Sequence, residues 1–130
     1  MNITFEIFLT TSLMRAKGLK PKMLSQVNAS ALYWTPAQMV THHTSGGCGL
    51  QPGDLLGTGT ISGPTAGALG SFLEMTRAGQ DPIQLESGEV RRFLDDNDEV
   101  TLRAKAHNPD FATIGFGECT GRIISSPPIR

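Results

Sequence analysis

Glu74 is one of the few residues whose type and setting could support chemistry. It stands in an apolar stretch, between Phe72, Leu73 and Met75. A carboxylate that is partly buried among apolar neighbours often takes part in acid–base chemistry. The same residue on the solvent face of a strand is an ordinary surface charge, and the pattern alone favours that interpretation.

A glycine-rich run, residues 57–63 (GTGTISG), is the second candidate. Glycines allow a backbone to approach a ligand closely, so this run could cradle an anion. It lacks the lysine that follows the glycines of a nucleotide-binding P-loop, and the pattern predicts no helix after it. A tight turn between a strand and a loop is therefore the favoured interpretation.

Histidines and a cysteine suggest a metal site only weakly. His42 and His43 are adjacent, and side chains of successive helical residues point about 100° apart, so they do not easily share one metal ion. Adding Cys48 or His107 gives no spacing that is typical of zinc proteins. We interpret the two histidines as residues of helix packing or of a polar surface.

The acidic cluster near the end of the chain could in principle bind Ca²⁺. It consists of Asp95, Asp96, Asp98 and Glu99. It lacks the length and ligand spacing of an EF-hand loop. A solvated turn is the prediction.

The elements that must position these residues are mostly strands. Residues 2–11 alternate apolar and polar side chains, and residues 23–28 can form a second strand antiparallel to them. Thr35, Pro36 and Gln38 predict the start of a helix that runs to about Thr44 and ends at the following glycine pair. Further strands are predicted in residues 71–76, 83–85, 90–94, 99–106 and 114–124, with strand-like character from residue 55. The sequence thus predicts one domain, mainly β with one short helix.

Composition excludes several classes of protein. The 130 residues carry a net charge of −1 with 6% aromatic residues, which argues against a nucleic-acid-binding protein. The longest apolar-leaning run, residues 3–13, is shorter than the ~20 residues of a membrane-spanning helix. Basic residues follow this run instead of preceding it, unlike in a signal peptide. We expect a cytoplasmic protein in which Cys48 and Cys119 are free thiols.

Several longer segments resemble the C-terminal region of the fumarylacetoacetase family and occur in the family's order. They are THH at residues 41–43, GCGLQPGDLLGTGTISG at 47–63, GSFLEM at 70–75, DNDEV at 96–100 and IGFGECTGRI at 114–123. The likeness extends from the first strand to within a few residues of the end. Residues 61–63, Ile-Ser-Gly, distinguish this branch from acylpyruvase-like members.

The resemblance implies a fold and an activity. The family has a mixed β-roll fold, of which residues 1–130 would be a C-terminal part. Its enzymes are homodimers with Mg²⁺ or Ca²⁺ that hydrolyse a carbon–carbon bond of the diketo acid 4-fumarylacetoacetate, giving fumarate and acetoacetate in tyrosine and phenylalanine catabolism. By the same resemblance, Thr60 contacts the substrate, and Glu74 orients and polarises a catalytic histidine.

The chain resembles only about the last third of the family's length. The histidine base, the carboxylate metal ligands and the basic residues of the substrate pocket have no counterparts here. We therefore expect the product of a truncated gene, a split gene or a partial open reading frame, with no metal ligands and no activity of its own; a separate N-terminal half is one possible partner. Two alternatives remain: a non-catalytic remnant or interaction subunit, and a related acylpyruvate-type hydrolase.

Overall fold

The computed structural model describes residues 2–128 and is mainly β, with two antiparallel sheets and a few short helices. This confirms the predicted fold class, although three short α-helices are present where the sequence predicted one. The elements in chain order are β1 (Ile3–Thr10), α1 (Ser12–Ala16), β2 (Lys22–Asn28), α2 (Pro36–Ser45), α3 (Phe72–Met75), β3 (Ile83–Gln84), β4 (Val90–Arg91), β5 (Glu99–Asn108) and β6 (Phe111–Arg122). Two short 3₁₀ turns, Ala29–Ala31 and Ala66–Ala68, complete the described elements.

The main sheet has the strand order β2–β1–β5–β6, and every neighbouring pair is antiparallel. The structure shows the predicted alternation of apolar and polar side chains along β1. Ile7 pairs with Leu102, and Leu9 pairs with Val100, so apolar residues of both strands share one face. The sheet therefore has one apolar face on which a core can form.

The opposite face of this sheet carries charged pairs. Arg103 of β5 binds Glu118 of β6 at 2.7 Å, and Arg122 binds Glu99 at 2.9 Å. These pairs are partly exposed, so each contributes little to stability. They identify this face as the solvent face of the sheet.

The hydrophobic core lies against the apolar face and is centred on Leu9, Met14 and Leu85. Met14 comes from α1, which the sequence analysis did not predict. The helix begins because the Thr11 hydroxyl accepts a hydrogen bond from the Met14 N–H at 3.1 Å. The small sheet β3–β4 supplies Leu85 from the turn that joins its strands, as the predicted hairpin requires.

Helix α2 confirms the prediction made from its caps. Thr35 and Gln38 form a capping box, Pro36 occupies the first turn, and Gly46 caps the C-terminal end. None of its residues is buried, so capping and not packing defines its ends. With ten residues α2 is the longest helix of the part described, and none there is long and apolar enough to cross a membrane.

Two predicted strands are wrong. Residues 71–76 were expected to be a strand, but Phe72–Met75 is a helical turn capped by Ser71. Residues from Leu55 onward were expected to be strand-like, but no strand forms before β3, and Leu55 is 97% exposed. A strand needs a paired neighbour, and in residues 2–128 none lies beside this segment.

The acidic turn before β5 is not fully solvated, which corrects another expectation. Asp98 is completely buried and accepts two hydrogen bonds from Arg91, at 2.7 and 3.0 Å. Glu89 binds the same guanidinium at 3.1 Å. We call Thr11, Ser87, Glu89, Arg91 and Asp98 the Arg91 cluster. Asp98 is therefore the partner of a cationic side chain and not a solvated carboxylate.

Candidate functional site

Glu74 lies on α3 and is held by two serine hydroxyls. The Ser62 Oγ donates to the carboxylate and lies 2.9 Å from Oε1 and 2.8 Å from Oε2. The Ser71 Oγ lies 2.9 Å from Oε2. A carboxylate with two such donors has a fixed orientation, which an exposed surface glutamate normally lacks.

Ser71 also starts the helix that carries Glu74. Its Oγ accepts a hydrogen bond from the Glu74 N–H at 3.3 Å. Ser71 and Glu74 have the Ser-x-x-Glu spacing of a helix start. This signal was present in the sequence and would have predicted the helix in place of a strand.

Gly70 permits two chain segments to approach each other closely. Its N–H donates to the Ser62 Oγ at 3.1 Å. A Cβ built on Gly70 would lie 2.4 Å from the Ile61 carbonyl oxygen and 2.4 Å from the Thr60 methyl carbon. Any other residue here would displace the backbone that carries Thr60 and Ser62.

The same loop is anchored on the main sheet. The Gly63 N–H donates to the Ala68 carbonyl at 2.7 Å, and a Cβ on Gly63 would lie 2.9 Å from the Ala68 Cβ and 3.6 Å from Val27 of β2. Val27 is buried beneath this contact. The sheet therefore positions the loop, and the loop positions Ser62.

Thr60 and Glu74, the two residues singled out from the sequence, line one open cavity of about 460 Å³. The chain brings them together although fourteen positions separate them. The remaining lining residues are Ala31, Leu32, Tyr33, Ile61, Ser62, Ser71 and Leu73. Sequence reasoning did not identify Ser62, Ser71 or Tyr33 as members of this site.

The hydrogen bonds at Glu74 lower the pKa of its carboxyl group below the usual value. The Ser62 hydroxyl is the largest cause and the Ser71 hydroxyl the next, while the backbone N–H groups of Gly70 and Ser71 act in the same direction. Glu74 is therefore ionised at neutral pH. A carboxylate can accept about four hydrogen bonds, so Oε1, which accepts from Ser62, retains capacity for a donor from outside the chain.

The histidines lie elsewhere. His42 and His43 are exposed on α2 and line a second cavity of about 550 Å³ together with Trp34, Met39 and Leu56. The polar-surface interpretation of the histidine pair is correct, and the helix-packing alternative is not. His107 is exposed on β5, where its Nδ1 lies 3.0 Å from the Thr113 hydroxyl.

Within residues 2–128, no group of three or more His, Cys, Asp or Glu side chains is arranged to hold a metal ion. The Glu74 carboxylate faces hydroxyls, and Asp98 is neutralised by Arg91. These residues do not fit a Mg²⁺ or Ca²⁺ site, which needs several converging oxygen ligands. Cys48 and Cys119 are free and exposed, as predicted.

Comparison with known proteins agrees with the geometry. The family model described as fumarylacetoacetate (FAA) hydrolase C-terminal matches residues 14–124. The chain is 42% identical over 127 residues to the fumarylacetoacetase of Arabidopsis thaliana, an alignment that covers 98% of this chain and 30% of the relative. Identity to the fumarylacetoacetase of Dictyostelium discoideum is 43%, with 95% and 29% covered, and to that of Homo sapiens 40%, with 93% and 29% covered.

The chain thus spans about 30% of the length of the curated relatives that it matches. The family match covers most of the chain, including Thr60, Ser62, Gly70 and Glu74. The chain therefore belongs to the fumarylacetoacetate hydrolase C-terminal family.

Proposed function

We propose that this chain forms the carboxyl-terminal part of an enzyme that hydrolyses the carbon–carbon bond of 4-fumarylacetoacetate, giving fumarate and acetoacetate. The observation that carries this proposal is the cavity shared by Thr60 and Glu74. The names of the relatives support the choice of substrate.

Glu74 has the properties of a group that orients a base. Its ionised carboxylate can accept the N–H of an imidazole supplied by another part of the enzyme, which fixes the tautomer and stabilises the protonated ring. That imidazole takes a proton from water, and the resulting hydroxide adds to the ketone carbon that becomes a carboxylate carbon of fumarate. The bond between this carbon and the acetoacetate portion then breaks. The carbon that leaves with the bonding electron pair then receives the proton, which completes the acetoacetate.

Thr60 has a different role in the proposal. It is exposed on the cavity wall, so its hydroxyl can donate to a carboxylate of the diketo acid. Gly59 precedes Thr60, is exposed, and has open space where a Cβ would lie. Because the described residues do not fit a Mg²⁺ or Ca²⁺ site, we place the metal ligands of such an enzyme outside this chain.

The exposed apolar residues on one face of the main sheet are consistent with a binding surface for the polypeptide that carries the rest of the enzyme. At the β5–β6 half, Leu102 is 46% exposed and Ile114 is 62% exposed. Leu102 lies opposite Ile7, on the face where the core forms at β1 and β2, whereas the other face carries the charged pairs. We propose that the polypeptide corresponding to the other 70% of the relatives covers this half. A homodimer and a cytoplasmic location belong to the same proposal.

A chimera tests the proposal. The part of Dictyostelium fumarylacetoacetase that precedes the matched region is joined to this chain, and loss of diketone absorbance is followed with millimolar Mg²⁺ or Ca²⁺. We expect turnover by the chimera and none by the 130-residue chain alone.

Three outcomes would contradict parts of the proposal. Turnover by the chain alone would require a base among His42, His43 and His107. A folded but inactive chimera would favour a non-catalytic remnant. Faster turnover of acylpyruvates than of 4-fumarylacetoacetate would favour the related hydrolase.

A further inference from the structure

We infer that Ser62 is a positioning residue of the reaction, whose hydroxyl fixes the Glu74 carboxylate so that one oxygen remains available to an imidazole. This inference rests on the proposed function and adds a residue to it. Its basis is the set of hydrogen bonds that joins Gly70, Ser62 and Glu74.

The direction of the Ser62 proton follows from its neighbours. A serine hydroxyl has one proton to donate and two lone pairs that accept. The Gly70 N–H donates to the Ser62 Oγ at 3.1 Å and thereby occupies a lone pair. In the described part of the chain, the two Glu74 carboxylate oxygens are the only acceptors within hydrogen-bond distance of the Ser62 hydroxyl, at 2.8 and 2.9 Å. The backbone thus orients the hydroxyl, and the hydroxyl orients the carboxylate.

Ser62 and Ser71 make different contributions to Glu74. Ser71 caps α3 as well as donating to Oε2, so its loss would alter the helix itself. Ser62 belongs to a separate loop and caps no helix. It links Glu74 on α3 to the segment that carries Thr60. Ser62 is thus the residue that fixes both predicted site residues relative to each other.

The close approach at Gly70 supports this role. The space beside Gly70 is so small that a Cβ would collide with Thr60 and Ile61 at 2.4 Å. This contact sets the distance between the Ser62 loop and α3. Ser62 is also the largest cause of the lowered Glu74 pKa. Removal of its hydroxyl should raise that pKa and release the carboxylate.

Kinetics of the chimera provide one test, with Ser62→Ala as the variant, Ser62→Thr as the rescue and Ser12→Ala as the control. Ser12 is an exposed serine of α1, far along the chain from the site. We expect Ser62→Ala to lower kcat by about tenfold or more, as for loss of a hydrogen bond to a charged group, with little change in KM. The acid limb of the kcat profile should move to higher pH, because Glu74 must be ionised. Ser62→Thr should restore both.

Titration of the Glu74 carboxyl by ¹³C NMR in the 130-residue chain provides a test that needs no activity. The resonance is assigned with Glu74→Gln, and its pKa should rise in Ser62→Ala but not in Ser12→Ala or Ser62→Thr. An unchanged titration in Ser62→Ala would overturn the inference, as would an unchanged kcat and acid limb in the chimera. If the wild-type chimera is inactive while the titration shifts, the proposed function fails, and the catalytic use of this contact fails with it.

Discussion

Two glutamates of this chain are each held by two hydroxyls, yet their surroundings differ. Glu89, in the Arg91 cluster, receives hydrogen bonds from Thr11 and Ser87 and pairs with Arg91 at 3.1 Å. Glu74 receives hydrogen bonds from Ser62 and Ser71. In the described part of the chain, the donors to the Glu74 carboxylate are these two hydroxyls, with no cationic side chain.

The difference indicates what each carboxylate does. Glu89 is partly buried, and its charge is balanced by a guanidinium whose own pKa is raised, chiefly by its hydrogen bonds to Asp98. Glu74 is ionised, exposed and beside a cavity, so its charge remains available to a donor from outside. The first arrangement stabilises the fold. The second is typical of a site that another segment completes.

The largest effect on stability should come from the centre of the Arg91 cluster. Asp98→Ala removes two hydrogen bonds from the Arg91 guanidinium, which still pairs with Glu89 and Asp95. We expect the free energy of unfolding to fall by about 2 kcal/mol, measured by urea denaturation. Asp96→Ala, at an exposed aspartate of the same turn, is the matched control and should change little. Equal losses of unfolding free energy in both variants would show that the Arg91 cluster does not contribute more to stability than an exposed aspartate does.

Glu74→Gln should separate activity from stability. In the chimera we expect turnover to fall by about a hundredfold, because a neutral amide does not stabilise a protonated imidazole. The urea midpoint of the isolated chain should stay close to that of Glu86→Gln, an exposed control. Near-normal turnover would remove Glu74 from the catalytic machinery, and a large loss of stability would make it equivalent to Glu89.

Lowering the pH should reduce the free energy of unfolding mainly through protonation of Glu89. Its pKa is lowered from 4.5, with the Thr11 hydrogen bond as the largest cause. A lowered pKa in the folded state stabilises the protein above the unfolded value and loses that effect as pH falls through the folded value. Unfolding free energies between pH 6 and about pH 3 should therefore decline, and less steeply in Glu89→Gln. A decline that is flatter in Glu74→Gln than in Glu89→Gln would contradict this prediction.

The smallest effect concerns Thr60. Thr60→Val keeps the shape of the side chain and removes the hydroxyl that we propose for substrate binding. In the chimera, transition-state binding should weaken by about 1 kcal/mol, or roughly fivefold in kcat/KM. Thr65→Val, at an exposed position of the same loop outside the cavity, is the control. Unchanged KM and turnover in Thr60→Val would exclude the contact.

Local signals in the sequence predicted a good part of the fold. The alternation in β1 identified the apolar face of the sheet, and Thr35, Pro36 and Gln38 located α2, because strand alternation and helix caps depend on residues close together in the chain. The Ser71-x-x-Glu74 spacing was equally local. The apolar residues around it favoured a strand, and the cap decided the outcome.

The sequence by itself determined the family, the strand alternation, the α2 caps and the identity of the two candidate residues, Thr60 and Glu74. Only the tertiary structure decided what those residues face. Thr11 meets Glu89 across 78 positions, and Ser62 meets Glu74 across twelve. Neither contact leaves a periodic signal, because each depends on how the loops cross the sheet. The close approach of two chain segments at Gly70 places Glu74 in the cavity that it shares with Thr60. Burial of Asp98 against Arg91 gives that carboxylate a role in stability.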